Sequence, residues 1–312
     1  MVDGPNWERA VLEKLALAAL KEQRAARQWG IFFKLIGIGI LVLILGSMLG
    51  WFDGHDGVSG GKHTAVVDVT GVIESEGRAS AENIIAGLQA AFKDTQTQGV
   101  IVRINSPGGS PVQAGQINDE MRRLKTKYPN TPLYAVVEDV CASGGYYIAV
   151  AADRIYVNKA SVVGSIGVIL DGFGLVGTLE KLGVERRVQT AGENKAFLDP
   201  FSPVVPKHRE YAQQMLDEIH KQFIDVVKTG RGQRLKDSPD LFSGLVWNGA
   251  RSVDMGLADA LGSVDTVARD VIKAEELVDY TVKEKLTDRL ARRFGGVVAG
   301  GVSSVLTQLR IR

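Results

Sequence analysis

The chain has 312 residues, 45% of them hydrophobic, so it is long enough and apolar enough for one large domain or two ordinary ones. Its 37 basic and 36 acidic residues leave a formal net charge of +1, which disfavours a protein that binds nucleic acid through a basic surface. The single cysteine, Cys141, excludes an intrachain disulfide and a zinc site built from several cysteines.

The first feature along the chain is an apolar run. Residues 35–52, LIGIGILVLILGSMLGWF, contain no charged side chain. At about 1.5 Å per residue, such a helix and its flanking residues cross a hydrocarbon layer of about 30 Å. A cleaved signal peptide is the alternative, but the charged segment 1–34 precedes the run and no small-residue cleavage pattern follows it. We therefore expect a transmembrane helix that is not removed.

Basic residues flank this run unequally. Six lysines and arginines lie between Arg9 and Lys34, whereas Lys62 is the only one between residues 51 and 74. The positive-inside rule then predicts a single-pass protein with its N-terminus in the cytoplasm. In a bacterium, the rest of the chain would lie on the periplasmic or extracytoplasmic side of the inner (cytoplasmic) membrane. The Gly-rich and Asp-rich residues 53–63 are a predicted linker to a domain over 64–285.

Short β-branched runs alternate with amphipathic segments after the linker. The predicted strands are 64–73, 99–105, 132–139 and 154–158. Residues 80–94 and 115–128 carry apolar side chains at helical spacing, and Ser80 is a suitable N-cap. This alternation predicts an α/β domain of βαβ units with a mostly parallel sheet.

The second half of the chain has weaker strand patterns and one clear helix. Residues 161–170 and 185–192 are predicted strands or sheet edges. A long amphipathic helix is predicted to begin at Pro206, and its pattern favours packing and assembly over catalysis. Residues 286–312 fit no core pattern and are predicted to be a disordered tail or a segment that lies on the membrane.

A glycine pair follows the second predicted strand, in the stretch RINSPGGSPVQAG. Pro107 fixes a turn there, and Gly108 and Gly109 leave backbone amides uncovered before a helix. Such a corner can hold a phosphate, hold an oxyanion during acyl transfer, or serve only as a tight turn. The Lys-Ser/Thr ending of a phosphate loop is missing, and the glycine pair by itself favours the tight turn.

A second corner, CASGGYY, places Ser143 between a predicted strand and a helix. Gly144 and Gly145 allow a sharp turn that exposes the hydroxyl, as in a nucleophile elbow, with the Gly144 amide as a donor. The alternative is that Ser143 only caps the helix. Two glycine corners at the ends of neighbouring strands favour a site, because open α/β sheets bind ligands at that edge. Cys141 is a rival nucleophile, but with no basic neighbour it is better explained as a buried thiol.

A catalytic serine needs a base. The histidines lie outside residues 64–207, so a Ser-His-Asp triad would require the long helix to fold over the site; they are His55, His63, His208 and His220. A buried lysine with a lowered pKa can serve instead. The candidates after Ser143 are Lys159, Lys181 and Lys195, and Lys195 is the one that follows a predicted strand and precedes apolar residues.

Four stretches, INSPGG, CASGGYYIAVAADRIYVNKASVVGSIGVI, GENKAF and GLVWNGARSVDMGLADALG, together resemble the signal peptide peptidase SppA family over about residues 64–275. The likeness is to the short, single-copy form. It implies a ClpP/crotonase-like fold of repeated ββα units, a C-terminal helical assembly element and a homo-oligomeric ring. It also implies a Ser-Lys dyad of Ser143 and Lys195, with Ser165 near the lysine amine and an oxyanion hole at Gly109 and Gly144.

The implied activity is a membrane-anchored serine endopeptidase that cleaves hydrophobic peptides, such as remnant signal peptides after their release from preproteins. No metal, cofactor or nucleic acid is expected. The spelling GENKAF departs from the commoner Ala-His-Lys but keeps the lysine at 195. A crotonase-type acyl-CoA enzyme and a non-catalytic membrane scaffold of the same fold are the alternatives.

Overall fold

The computed structural model describes residues 7–48 and 61–282, which form two units. The first unit contains helix α1, Trp7–Met48. Within it, Leu12–Gly46 is long and apolar enough to cross a membrane, judged by length and composition. The helix thus begins well before the predicted span at 35–52. The predicted tail 286–312 and most of the predicted linker lie outside the described residues.

The second unit is an α/β domain. Its strands are β1 His63–Thr70, β2 Thr97–Ser106, β3 Leu133–Ala142, β4 Arg154–Val157, β5 Val162–Gly164, β6 Val246–Asn248, β7 Ala260–Leu261 and β8 Leu277–Asp279. Its helices are α2 Ala81–Lys93, α3 Pro111–Lys127, α4 Gly144–Ala149, α5 Val176–Lys181, α6 Pro206–Arg231, α7 Gly249–Asp254 and α8 Val264–Thr266, with a 3₁₀ turn at Gly232–Arg234 and a π-helical stretch at Val267–Ile272. The predicted strands at 64–73, 99–105, 132–139 and 154–158 and the predicted helices are confirmed within a few residues.

The sheet is mostly parallel, as predicted. Its strand order is β6-β5-β3-β2-β1-β8, and β4 pairs with β3 and β7. Strand β3 pairs with β4 along its first half and with β5 at its end, where Ala142 lies opposite Gly164. Ser106 at the end of β2 lies opposite Cys141. The carboxyl ends of β2, β3 and β5 therefore meet at one edge of the sheet.

Apolar side chains at helical spacing fix the helices on the sheet. Helix α2 begins at the predicted N-cap, since Ser80 accepts a hydrogen bond of 3.3 Å from the amide of Asn83. It buries Ile84, Leu88 and Phe92, which lie on one face because a helix turns once in about 3.6 residues. These side chains join the main core between the sheet and its helices.

Helix α6 packs on α4 through its second half. The ring of Phe223 lies 5.1 Å from that of Tyr147, and Val227 is fully buried. A Cβ at Gly230 would overlap the carbonyl oxygen of Val150, so the two helices approach as closely as glycine allows. Arg231, only 1% exposed, ends the buried stripe.

One strand prediction is wrong. Residues 185–192, all of them described, form no strand and are exposed. Val188 is the only large apolar side chain in the segment, so it has little to bury against a sheet. Residues outside the segment bind it instead: Arg186 forms an ion pair with Asp199 at 2.7 Å, and its guanidinium stacks on the ring of Phe201.

Candidate active site

Ser143 occupies a strained backbone conformation where β3 ends and α4 begins. Its φ of 51° and ψ of −121° are unusual for a residue with a side chain. Although Ser143 stands at the N-cap position, its side chain forms no capping hydrogen bond. The helix-cap explanation therefore does not account for this serine. Its partly exposed hydroxyl has no hydrogen-bond partner in the part of the chain that the structure describes.

Backbone contacts hold this strained turn. The amide of Ser143 donates to the carbonyl of Gly164 at 2.9 Å, and its carbonyl accepts from the amide of Tyr147 at 2.9 Å. Directly beside it, a Cβ at Gly108 would lie 2.7 Å from the Cβ of Ser143. Only glycine at 108 leaves room for the serine, so the two glycine corners predicted at the sheet edge are in contact.

The loop at Gly108 and Gly109 is shaped by positive φ values of 104° and 148°. It is bound to the chain after β1, because Ile73 donates to the carbonyl of Gly108 at 2.9 Å and accepts from Ser110 at 2.8 Å. A Cβ at Gly109 would overlap the carbonyl oxygen of Ile73. The loop is thus more than a simple turn, since its position requires glycine.

Two amide groups beside Ser143 are left without partners. The N–H groups of Gly109 and Gly144 form no hydrogen bond with any described residue. They are close to each other, because a Cβ at Gly144 would lie 3.3 Å from the nitrogen of Gly109. Paired amide donors next to an exposed hydroxyl can stabilise a negative oxygen that forms when the hydroxyl attacks a carbonyl.

Ser165 lies in the neighbouring turn. It follows Gly164, and both have positive φ, 118° and 52° in chain order. Ala142 pairs with Gly164, and the Gly164 carbonyl accepts from the Ser143 amide at 2.9 Å, so Ser165 directly follows the residue that is bonded to the serine backbone. The amide of Ser165 donates to the carbonyl of Leu245 at 2.7 Å. The structure therefore brings together four of the five predicted site residues.

Lys195 is the exception. It lies in an exposed turn, and its ammonium forms no hydrogen bond or ion pair with any residue among those described. The turn is attached to the start of α6, where the ring of Phe197 lies 5.3 Å from that of His208 and Asn194 contacts His208 at 3.1 Å. Lys159 and Lys181, the other candidate bases, are exposed as well. The Ser143–Lys195 dyad stays a prediction.

Comparisons with known proteins bear on this arrangement. A family model described as peptidase family S49 matches residues 125–278. A candidate protease of Synechocystis sp. is 31% identical over 202 residues, which are 65% of this chain and 70% of that protein. The chain belongs to peptidase family S49. A candidate signal peptide peptidase SppA of Enterococcus faecium is 29% identical over 235 residues, 73% of this chain and 68% of that protein. Membership in the S49 family confirms the resemblance found from the sequence.

A different match is much longer than this chain. The Na⁺/H⁺ antiporter NhaA of Brucella abortus is 47% identical over 182 residues, which are 58% of this chain and 25% of that protein. The chain therefore spans about a quarter of the length of that relative, and most of the Brucella protein has no counterpart here.

Cys141 lies two residues before Ser143 in this S49 chain, yet it is fully buried. Burial raises the pKa of its thiol, so the neutral form dominates and nucleophilic attack is disfavoured. This agrees with the predicted packing role.

Sequence reasoning gave one residue too little weight. It placed His220 on the long helix, outside residues 64–207, and left open whether that helix folds over the site. The structure puts the Nε2 atom of His220 3.0 Å from the carbonyl oxygen of Ile166, next to Ser165. The spacing of His220 with the apolar Phe223 and Val227, at i, i+3 and i+7, is the signal that could have predicted an inward-facing histidine.

Proposed function

We propose that the chain is a serine endopeptidase in which Ser143 is the nucleophile and Lys195 the general base. The observation that carries the proposal is the strained Ser143, with φ 51° and ψ −121°, beside the unpartnered amides of Gly109 and Gly144. Strained backbone of this kind clusters at active sites, where the surrounding fold maintains it. Membership in peptidase family S49 supports the same reaction.

The chemistry follows from these groups. Neutral Lys195 accepts the proton of the Ser143 hydroxyl while Oγ bonds to the peptide carbonyl carbon. The carbonyl π electrons move to oxygen, which accepts hydrogen bonds from the amides of Gly109 and Gly144. The intermediate collapses by breaking the C–N bond, and the Lys195 ammonium returns the proton to the departing amine. Water then attacks the ester with Lys195 as base, and Ser143 recovers its proton as the acid product leaves.

This mechanism needs Lys195 to be neutral and close to Ser143. Because burial favours the neutral form of a lysine, the exposed Lys195 has to be covered in the active form. The part of the chain between β5 and α6, which contains Lys195, also carries two largely exposed apolar side chains, Ile169 at 82% and Phe173 at 83%. Covering this surface by a second copy, within the ring that the resemblance implies, would bury both the apolar groups and the lysine. Helix α6 would act as the assembly element.

The membrane defines the proposed substrate. Helix α1 has the length and composition of a membrane anchor. A site tethered close to a bilayer suits hydrophobic peptides such as remnant signal peptides, and the unequal basic flanks suit a catalytic domain on the extracytoplasmic side of a bacterial inner membrane. The proposed fold class is ClpP/crotonase-like. Antiporter activity belongs to the name of the Brucella protein and is not proposed for this chain.

The test uses the full chain in detergent and an apolar peptide, with products identified by mass spectrometry. Ser143→Ala and Lys195→Ala are each expected to lower kcat by about a thousandfold or more, because a nucleophile and its base act as a unit. Lys159→Ala, another exposed lysine, is the matched control and should retain activity. Full hydrolysis by Ser143→Ala would contradict the proposal, and a crotonase-type reaction would not require that hydroxyl.

A mixing experiment shows where the lysine comes from. If neighbouring copies supply Lys195, a mixture of Ser143→Ala and Lys195→Ala chains recovers part of the activity that each lacks alone. If the turn that carries Lys195 closes onto Ser143 in the same chain, the mixture stays inactive. Full activity of Lys195→Ala alone would refute the dyad while leaving the serine in place.

A further inference from the structure

His220 connects helix α6 to the catalytic edge of the sheet. Its side chain is partly buried, and its Nε2 atom lies 3.0 Å from the carbonyl oxygen of Ile166. A carbonyl oxygen can only accept a hydrogen bond, so Nε2 must carry the hydrogen and donate it. This nitrogen is therefore engaged as a donor and is not available to take a proton from a nucleophile.

The turn that receives this hydrogen bond is an unusual one. Gly164 and Ser165, with φ of 118° and 52°, are consecutive residues in the left-handed region, and such strain persists only where the surroundings hold it. One side of the turn is fixed by Leu245, whose carbonyl accepts from the Ser165 amide at 2.7 Å. His220 fixes the other side through Ile166.

The same turn sets the position of the nucleophile. The carbonyl of Gly164 accepts the amide hydrogen of Ser143 at 2.9 Å, so any movement of the turn is transmitted to the strained serine backbone. It also carries Ser165, which directly follows the Gly164 that is bonded to Ser143. A shift here would change the direction of the attacking hydroxyl without altering the bulk of the fold.

Helix α6 is a rigid support for His220. The next inward positions of the same stripe are Phe223, packed on Tyr147, and the fully buried Val227. At the helix end, Gly230 lies against the backbone of Val150. Helix α6 thus packs on α4, which directly follows Ser143, and contacts the Ser165 turn through the same face.

We infer that His220 is a positioning residue: by donating from Nε2 to the Ile166 carbonyl it holds the 164–167 turn, and with it the backbone of Ser143 and the hydroxyl of Ser165. The inference rests on the proposed serine peptidase activity. It assigns His220 no proton transfer, which separates it from the histidine of a Ser-His-Asp triad.

The test compares two substitutions that differ in one property. His220→Gln retains an N–H donor at a similar reach, whereas His220→Met fills similar space without a donor. Lys221→Met, on the solvent side of the same turn of α6, is the control. We expect His220→Met to lower kcat by about tenfold, the size of one lost hydrogen bond, with KM within about twofold of wild type. His220→Gln should recover most of this loss.

A second measurement does not depend on peptide turnover. The rate at which Ser143 is acylated by an activated ester, followed by mass spectrometry of the full chain, should fall in His220→Met and recover in His220→Gln. Thermal unfolding midpoints of all three variants are expected to remain close to wild type. An inactive Ser143→Ala chain establishes separately that the serine is the nucleophile.

Two results would overturn the inference. If His220→Met matched Lys221→Met in kcat and in acylation rate, the hydrogen bond would have no part in positioning. If His220→Gln were as slow as His220→Met and both were about a thousandfold below wild type, the histidine would be acting as a base. Loss of activity in Ser143→Ala together with the first result would leave the proposed function standing while the role of His220 failed; the second result would also displace Lys195 as the general base.

Discussion

Gly109→Ala is the most informative change in the glycine loop. The added Cβ would overlap the carbonyl oxygen of Ile73 and lie 2.8 Å from its nitrogen, at a φ of 148° that residues with a side chain rarely adopt. Both groups are backbone, so the loop itself must move, by about 1 Å to restore ordinary contact. Such a shift takes the Gly109 amide out of hydrogen-bonding range of the developing oxyanion.

The expected magnitude follows from that displacement. Losing one oxyanion donor costs about 100-fold to 1,000-fold in kcat, or roughly 2.7 to 4 kcal/mol of transition-state stabilisation. KM should change little, because the negative charge exists only in the transition state. Gly144→Ala should have a smaller effect. Its Cβ would lie 3.3 Å from the Gly109 nitrogen, a tight contact that a small movement relieves, so we expect kcat to fall by about tenfold.

The assay is steady-state hydrolysis of an apolar peptide by the full chain in detergent, with circular dichroism to establish the folded fraction. Gly115→Ala is the matched control, since a Cβ there meets nothing within 4 Å and alanine favours the α3 helix. If folded Gly109→Ala turned over peptide within twofold of Gly115→Ala, the loop would not be the oxyanion hole and the reasoning would be refuted.

Two further predictions concern stability. Replacing the buried Arg231 by Met removes its ion pair with the partly buried Asp259 at 2.7 Å and leaves only the longer pair of Asp259 with Arg234, at 3.2 Å. This should lower the free energy of unfolding in urea by about 3 kcal/mol, whereas Arg269→Met at an exposed pair should change it little; equal effects would contradict the assignment. A hydrogen bond from Tyr280 lowers the pKa of Asp94 in the folded protein. The ionised carboxylate therefore stabilises the fold at pH values above its unfolded pKa of about 3.9. This contribution is lost as the pH falls through the pKa of Asp94 in the folded state. Thermal unfolding midpoints measured from pH 6 to pH 3 should therefore fall less steeply for Asp94→Asn than for wild type, and identical slopes would refute the linkage.

Local patterns were enough to predict the centre of the domain. The β-branched runs at β1 to β4, the apolar spacing of α2 and the Ser80 cap each specify their element through neighbours close in the chain. The meeting of the two glycine corners also followed, because parallel strands bring their carboxyl ends to one edge.

Features that depend on distant contacts could not be predicted. The strain at Ser143 arises from its hydrogen bond to Gly164 and from contact with Gly108, neither of which is visible in the order of residues. Residues 185–192 looked like a strand but have no sheet to join. The proximity of His220 to Ile166 requires the packing of α6 on α4, which periodicity alone does not orient.

The most direct test of the central claim is to locate the acyl group during turnover. The full chain is treated with a slowly hydrolysed ester, quenched in acid, digested and fragmented by tandem mass spectrometry. We predict an acyl group on the oxygen of Ser143, still formed when Cys141 is replaced by Ala and absent from Ser143→Ala. Acylation confined to Cys141, or turnover by Ser143→Ala at the wild-type rate, would contradict the assignment of Ser143 as the nucleophile.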